Sequence, residues 1–320
     1  MSENDTEQEV ISPSENAGAS LNGETVKAAE PAKKKIRVGY IFLSLLPLAL
    51  VIEIQTMSQV PFFLLALNKI ENDEGVAAFE DPLDLTSRLM QVFNDNYAFL
   101  SYLIYAVIGL IVFGIWYYKG FAKKHKVPLK SIVGVKSVVS AIVISVGLSL
   151  AISAGLLLAQ ILFPNVMQSY SELMEAAGIV TNVWITVVYA IILGPILEEL
   201  AMRGLTCSLL EKAGLRPILV IFISGVLFGV MHMNLVQGIY ASFLGFVLAY
   251  MRYKYQSIKI SIFMHILFNI CGSYGTMALD SIGLGDGVYY ILGGVSLIAI
   301  VFSLVLVNGD KKAYKAAKGE

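Results

Sequence analysis

The chain has 320 residues and a formal net charge of −1; 57% of its residues are apolar, 15% are charged, and its mean hydropathy is +0.72. A soluble globular domain carries about a quarter charged residues, so most of this chain belongs in lipid. The near-neutral charge and the absence of any nucleic-acid-binding motif exclude nucleic acid as a partner.

The N-terminal segment 1–35 is rich in Ser, Glu, Asn, Ala and Lys and has no apolar periodicity. Because it cannot bury enough surface to offset the entropy of ordering, we expect a disordered cytoplasmic tail. The first apolar run begins near Val38 and lacks the cleavage site of a signal peptide, so we expect it to remain as an anchor. We expect a transmembrane domain over 36–310 and a basic cytoplasmic tail over 311–320.

Apolar segments of roughly 20 residues, enough to cross a hydrocarbon core about 30 Å thick, follow one another along the chain. They predict an all-α, polytopic membrane bundle of about eight transmembrane helices. The predicted helices are 39–57, 97–118, 137–163, 183–210, 216–234, 236–251, 259–279 and 287–307. Between the first two, we expect the segment 58–96, which contains Pro61, to hold an interfacial helix on the outer side.

The connections between these helices alternate in charge. Lysine and arginine concentrate in every second connection, in the segments 33–37, 119–136, 212–216, 252–259 and 311–318. Acidic residues occupy the alternate connections, in the segments 71–84, 172–175 and 280–286. Because short loops rich in Lys and Arg stay in the cytoplasm, this pattern predicts a multi-pass protein of the cell membrane with both termini cytoplasmic.

Polar side chains interrupt three of the predicted helices, where a charge costs at least about 2.5–3.5 kcal/mol. They are Glu198, Glu199 and Arg203 in the fourth helix, His232 in the fifth, and His265 with Asn269 in the seventh. An ionisable group at such a depth needs a partner or a functional role.

The two glutamates are adjacent, so they point about 100° apart on an α-helix. Glu199 and Arg203 stand at i and i+4 with the acid first, the favourable orientation for an ion pair. Glu198 is then the freer carboxylate, able to take a proton from water and return it. The alternative is a structural cluster of all three charges. Pro195 removes one helical hydrogen bond just before them, which favours a kink or a water-filled opening.

The histidines also stand at informative spacings. His265 and Asn269, at i and i+4, share one helix face, where an imidazole can transfer a proton and an amide can donate to an oxyanion. Phe228 has the same spacing from His232 and can shield its imidazole from lipid. The GxxxG pattern before His232 allows a neighbouring helix to approach closely. The alternative for each polar residue is a helix–helix hydrogen bond.

The three motifs EExxxR, FxxxH and HxxxN, at Glu198–Arg203, Phe228–His232 and His265–Asn269, occur in this order. Together they resemble the CAAX protease and bacteriocin-processing (Abi) family of intramembrane endopeptidases, which includes the type II CAAX prenyl endopeptidase. The family-like core covers 183–279, under a third of the chain.

The resemblance implies a role for each motif residue. Glu198 would activate the hydrolytic water, and His232 would position it. His265 and Asn269 would stabilise the oxyanion. Glu199 with Arg203 would support the glutamate helix. The protein would then be a bacterial-type intramembrane endopeptidase whose partners are membrane lipids and a membrane-associated or lipid-anchored protein or peptide substrate.

A metal remains an alternative, because Glu198, His232 and His265 are also the donor set of a His₂Glu zinc site. The compact HExxH motif is absent, and a metal-bound Glu198 would no longer be the base, so we favour a metal-independent glutamate mechanism. The rival functions are a proton- or ion-coupled transporter, against which no internal repeat is seen, and a non-catalytic immunity or scaffold protein on the same fold.

Straight helices would not bring the histidines together. At 1.5 Å per residue, His265 lies about 9 Å from Lys259 and His232 about 24 Å from Arg216, so tilts or kinks are required. If the motifs meet, we expect a site within the membrane that opens towards the cytoplasm or sideways into the bilayer.

Overall fold

The computed structural model describes residues 35–75, 81–122, 134–176, 184–283 and 285–309. Within these ranges all regular elements are helices and no strand occurs. The predicted tails lie outside the described residues, apart from Lys35.

The helices are numbered in chain order. They are α1 Val38–Leu43, α2 Leu46–Glu74, α3 Pro82–Asn96, α4 Ala98–Gly120, α5 Val135–Leu162, α6 Pro164–Ala176, α7 over 185–212, α8 Pro217–Met231, α9 Leu235–Tyr255, α10 over 258–281, and α11 Asp286–Gly309. Helix α7 alternates between π-helical and α-helical segments, which are π Ile185–Leu193, α Gly194–Glu199, π Leu200–Thr206 and α Cys207–Lys212. Helix α10 combines α Ile258–Ile270, π Cys271–Gly275 and α Thr276–Ser281.

Each of the predicted spans coincides with a described helix, which confirms an all-α membrane bundle. In the described part of the chain, 6 helical stretches are long and apolar enough to cross a membrane. Helices α7 and α8 are not among them. Helix α7 carries three charged residues in its middle, and α8 is apolar but only 15 residues long.

The predicted end of the first span at residue 57 is wrong. Helix α2 continues through Pro61 to Glu74, because a proline inside an apolar helix can be accommodated without ending it. The following amphipathic helix, α3, begins with the side chain of Asp81 accepting hydrogen bonds from two backbone N–H groups of its first turn. Its Phe93 stacks on Phe63 with ring centroids 4.2 Å apart, which attaches α3 to α2.

Helices α8 and α9 pack closely through glycines. A Cβ atom on Gly245 would lie 2.8 Å from the Cα of Gly225, and one on Gly238 would lie 3.2 Å from the carbonyl oxygen of Gly229. Contacts this short leave no room for a larger residue. The close approach predicted from the GxxxG pattern is confirmed, and its partner is α9.

Two buried arginines join α7 to α9 from opposite directions. Arg203 of α7 donates from Nη2 to the carbonyl oxygen of Gly245 on α9 at 3.1 Å. Arg252 of α9 donates in return to Glu211 and, at 3.0 Å, to Ser208 Oγ, both on α7. These bonds fix the helix that carries both glutamates against its neighbour.

Candidate active site

The two adjacent glutamates end a short α-helical segment that lies between two π-helical ones. Pro195 is in the first turn of this segment, where a missing N–H is tolerated. The N–H of Gly194 bonds to the carbonyl oxygen of Tyr189, five residues earlier. The disturbance predicted at Pro195 therefore takes the form of a π-helical turn, a rare feature that is frequent at functional sites.

The side chain of Glu199 is completely buried and forms an ion pair. Its Oε1 lies 2.9 Å from Nη1 of Arg203, and neither side chain is exposed (0%). The same oxygen lies 3.2 Å from Nδ1 of His265. The predicted ion pair is confirmed, with an imidazole as a further partner that the spacing on α7 could not reveal.

Glu198 faces a different environment. Its side chain is 17% exposed and lines a cavity, and its Oε2 lies 3.7 Å from Nε2 of His265. His265 thus lies between the two glutamates, with one ring nitrogen towards each. The separation of an open carboxylate from a buried one, predicted from helix geometry, is confirmed.

His232 follows the last residue of α8, and its ring orientation is fixed. Its Nδ1 lies 2.8 Å from the carbonyl oxygen of Phe228, and since a carbonyl only accepts, Nδ1 is the protonated nitrogen. In the neutral ring Nε2 therefore keeps its lone pair. This imidazole lines the same cavity as Glu198.

The ring of Phe228 contacts both imidazoles and the guanidinium of Arg203. It meets His232 edge-on at 5.0 Å and His265 edge-on at 5.5 Å, and the guanidinium of Arg203 lies 4.3 Å from its centroid. The ring is 1% exposed. Shielding of the His232 imidazole from lipid by this ring stays a prediction. These contacts also bring the two imidazoles to one site, which straight helices would not do.

Asn269 lines the cavity and also supports its wall. Its Nδ2 donates to the carbonyl oxygen of Ala190 at 2.7 Å, in the first π-helical segment of α7. In the i to i+5 pattern of the π-helix this carbonyl would pair with the N–H of residue 195, which is a proline, so the amide supplies the missing donor. The second N–H of the same amide is a further donor.

The cavity has a volume of about 670 Å³ and contains Glu198, His232, His265 and Asn269 in its lining. The lining also includes tyrosines that sequence reasoning missed. The Tyr102 and Tyr189 rings stack at 4.6 Å, and Tyr105 meets Tyr189 at 5.9 Å. Two of these residues stand at i and i+3 on α4, so they share a face. Their aromatic spacing was the available signal, but it does not reveal which helix that face meets.

The described residues contain no group of three or more His, Cys, Asp or Glu side chains placed to hold a metal ion. The residues do not fit the His₂Glu zinc site considered from the sequence with Glu198, and we derive no step through a metal.

The fold and site define a multi-pass helical membrane protein with an open carboxylate and two imidazoles on an internal cavity. A family model, type II CAAX prenyl endopeptidase Rce1-like, matches residues 180–271. The resemblance read from the three motifs is therefore confirmed, because the same segment is similar to the Rce1-like, CAAX-protease type of domain. No curated protein and no solved structure gave a significant match to the chain.

Proposed function

We propose that the protein is an intramembrane endopeptidase that hydrolyses a peptide bond in a membrane-associated or lipid-anchored protein or peptide. One observation carries this proposal: of two adjacent glutamates, Glu198 opens on a cavity with both imidazoles, whereas Glu199 is sealed against Arg203. The Rce1-like match over 180–271 supports the reaction class.

In the proposed reaction, Glu198 takes a proton from a water molecule in the cavity, and the water oxygen bonds to the substrate carbonyl carbon. Nε2 of His232, which keeps its lone pair, accepts the second O–H of that water and positions it. The carbonyl electron pair moves to oxygen. His265 and Asn269 donate to this oxyanion, which is the step where preorganised donors contribute most.

The intermediate then collapses. The electron pair returns from the oxyanion to carbon, the C–N bond breaks, and the amine nitrogen receives the proton held by Glu198. The base of the first step is thus the acid of the second. Glu199, Arg203 and Phe228 touch no substrate in this scheme and hold the glutamate helix and the imidazoles in place.

The test is Glu198→Gln, which keeps the size of the side chain and removes the base. We expect normal folding and a fall in cleavage of about 10²–10⁴-fold, the usual contribution of a general base. Membrane-anchored peptides from cells that produce either form would be compared by mass spectrometry. Glu53→Gln, at an exposed position of α2, is the matched control and should cleave normally.

Full cleavage by Glu198→Gln would refute the mechanism. A scaffold or immunity protein would instead keep its cellular phenotype in this variant. A proton-coupled transporter would lose ion flux without any change in the anchored peptides, so the same strain comparison separates the three functions.

A further inference from the structure

Among the described residues, the lining of the cavity extends from the site towards one end of the bundle. Beyond Glu198, its lining comes from α6, from the first turns of α9 and from the start of α4, represented by Tyr170, Tyr240 and Tyr102. At 1.5 Å per residue, Tyr102 and Tyr240 lie within about 6–8 Å of the beginning of their helices. The Tyr170 and Tyr240 hydroxyls are 3.1 Å apart and join α6 to α9 at this end.

The other end of the bundle is closed. Among the described residues, the layer between the site and that end consists of fully or almost fully buried side chains, which are Met202, Leu205, Leu209, Met251, Tyr255 and Met264. Beyond them the ion pair of Arg252 with Glu211 crosses between α7 and α9. None of these residues lines the cavity.

The two ends carry opposite charges. The closed end bears Lys119, Lys136, Lys212, Arg216 and Lys254, whereas the open end bears Asp81, Asp84, Glu172, Glu175 and Asp286. Two basic residues also lie towards the open end, on α2 and α3, but Lys69 is paired with Asp73 at 2.8 Å and Arg88 with Asp84 at 2.8 Å. The positive-inside rule assigns the closed, basic end to the cytoplasm.

We propose that substrate enters the cavity from the non-cytoplasmic face. The substrate class is then an exported, membrane-anchored protein or peptide whose scissile bond lies on that side of the bilayer. This inference rests on the endopeptidase function proposed above and deepens it. Of the two openings expected from the sequence, towards the cytoplasm or sideways into the bilayer, it replaces the first, because packed side chains and an ion pair fill that direction.

Access can be measured without catalysis. In the full-length protein carrying Cys207→Ala and Cys271→Ser, a single cysteine is placed in the cavity by Ser153→Cys, a near-isosteric change on α5. Glu172→Cys marks the open end and Arg216→Cys the closed end, both at exposed positions. A charged, membrane-impermeant maleimide is then applied to intact and to permeabilised cells, since thiol labelling requires exposure to water.

We expect Ser153→Cys and Glu172→Cys to react in intact cells and Arg216→Cys only after permeabilisation. Ser273→Cys, at a second cavity position on α10, should behave like Ser153→Cys and guards against misfolding of one variant. The inference is overturned if the cavity cysteines react only after permeabilisation or not at all, or if the two end markers exchange their behaviour. None of these outcomes depends on cleavage, so the endopeptidase proposal would be judged separately by Glu198→Gln.

Discussion

Arg203→Met tests the buried ion pair that supports the glutamate helix. The substitution keeps an unbranched side chain but removes the 2.9 Å pair with Glu199, the bond to the Gly245 carbonyl and the cation above Phe228. Removing one partner of a buried pair costs about 3–5 kcal/mol, and the lost hydrogen bond adds about 1 kcal/mol. We therefore expect about 4–6 kcal/mol of destabilisation, or roughly 8–12 °C in Tm at about 2 °C per kcal/mol for a chain of this size.

The assay is thermal unfolding of the purified protein in one fixed detergent. The matched control is Arg88→Met, because Arg88 pairs with Asp84 at the same i, i+4 separation, at 2.8 Å, but on the exposed surface of α3. Such a pair contributes at most about 1 kcal/mol, so its Tm should shift by no more than about 2 °C. The double variant Glu199→Gln with Arg203→Met should recover part of the loss, since no uncompensated charge stays buried.

The reasoning is refuted if Arg203→Met and Arg88→Met lower Tm equally. It is also refuted if the double variant is as unstable as Arg203→Met alone, because the loss would then come from packing and not from a stranded carboxylate.

Two further predictions concern the supports of the site. Gly245→Ala should destabilise the protein by about 1–3 kcal/mol and reduce cleavage, because its Cβ would lie 2.8 Å from the backbone of α8. Gly114→Ala, whose Cβ would have nothing within 4 Å, should not lower Tm, because alanine favours a helix over glycine. Equal Tm values for the two variants would contradict the close packing of α8 and α9. Asn269→Ala should lower Tm, because it leaves the Ala190 carbonyl without its side-chain donor. It should also lower kcat, because it removes a proposed oxyanion donor. An unchanged kcat with a lowered Tm would assign the amide a structural role alone.

Helix positions and local pairings could be predicted from the sequence because they depend on short distances along the chain. The spacing of Glu199 and Arg203 was sufficient to predict their ion pair, and it left Glu198 as the open carboxylate. The order of the three motifs was sufficient to identify the Rce1-like segment.

Contacts between helices could not be predicted in the same way. A membrane helix is apolar on most sides, so its sequence does not reveal which face meets a neighbour. The spacing of Tyr102 and Tyr105 on α4 therefore indicated a shared face but not that this face meets Tyr189. The partnership of His265 with both glutamates likewise depends on how α10 crosses α7. The continuation of α2 through Pro61 could not be predicted either, because the sequence alone does not show whether a helix accommodates a proline.

Because α7 contains π-helical segments, the orientation of the Glu198 side chain depends on the number of residues in those segments. An α-helix turns by about 100° per residue, whereas a π-helix turns by less, so the orientation of Glu198 depends on how many residues precede it in the wider segment Ile185–Leu193. Losing one residue there would rotate Glu198 away from the cavity without changing any motif. This helix should therefore tolerate many substitutions between apolar residues but no insertion or deletion, a constraint on length that inspection of the motifs alone would not detect.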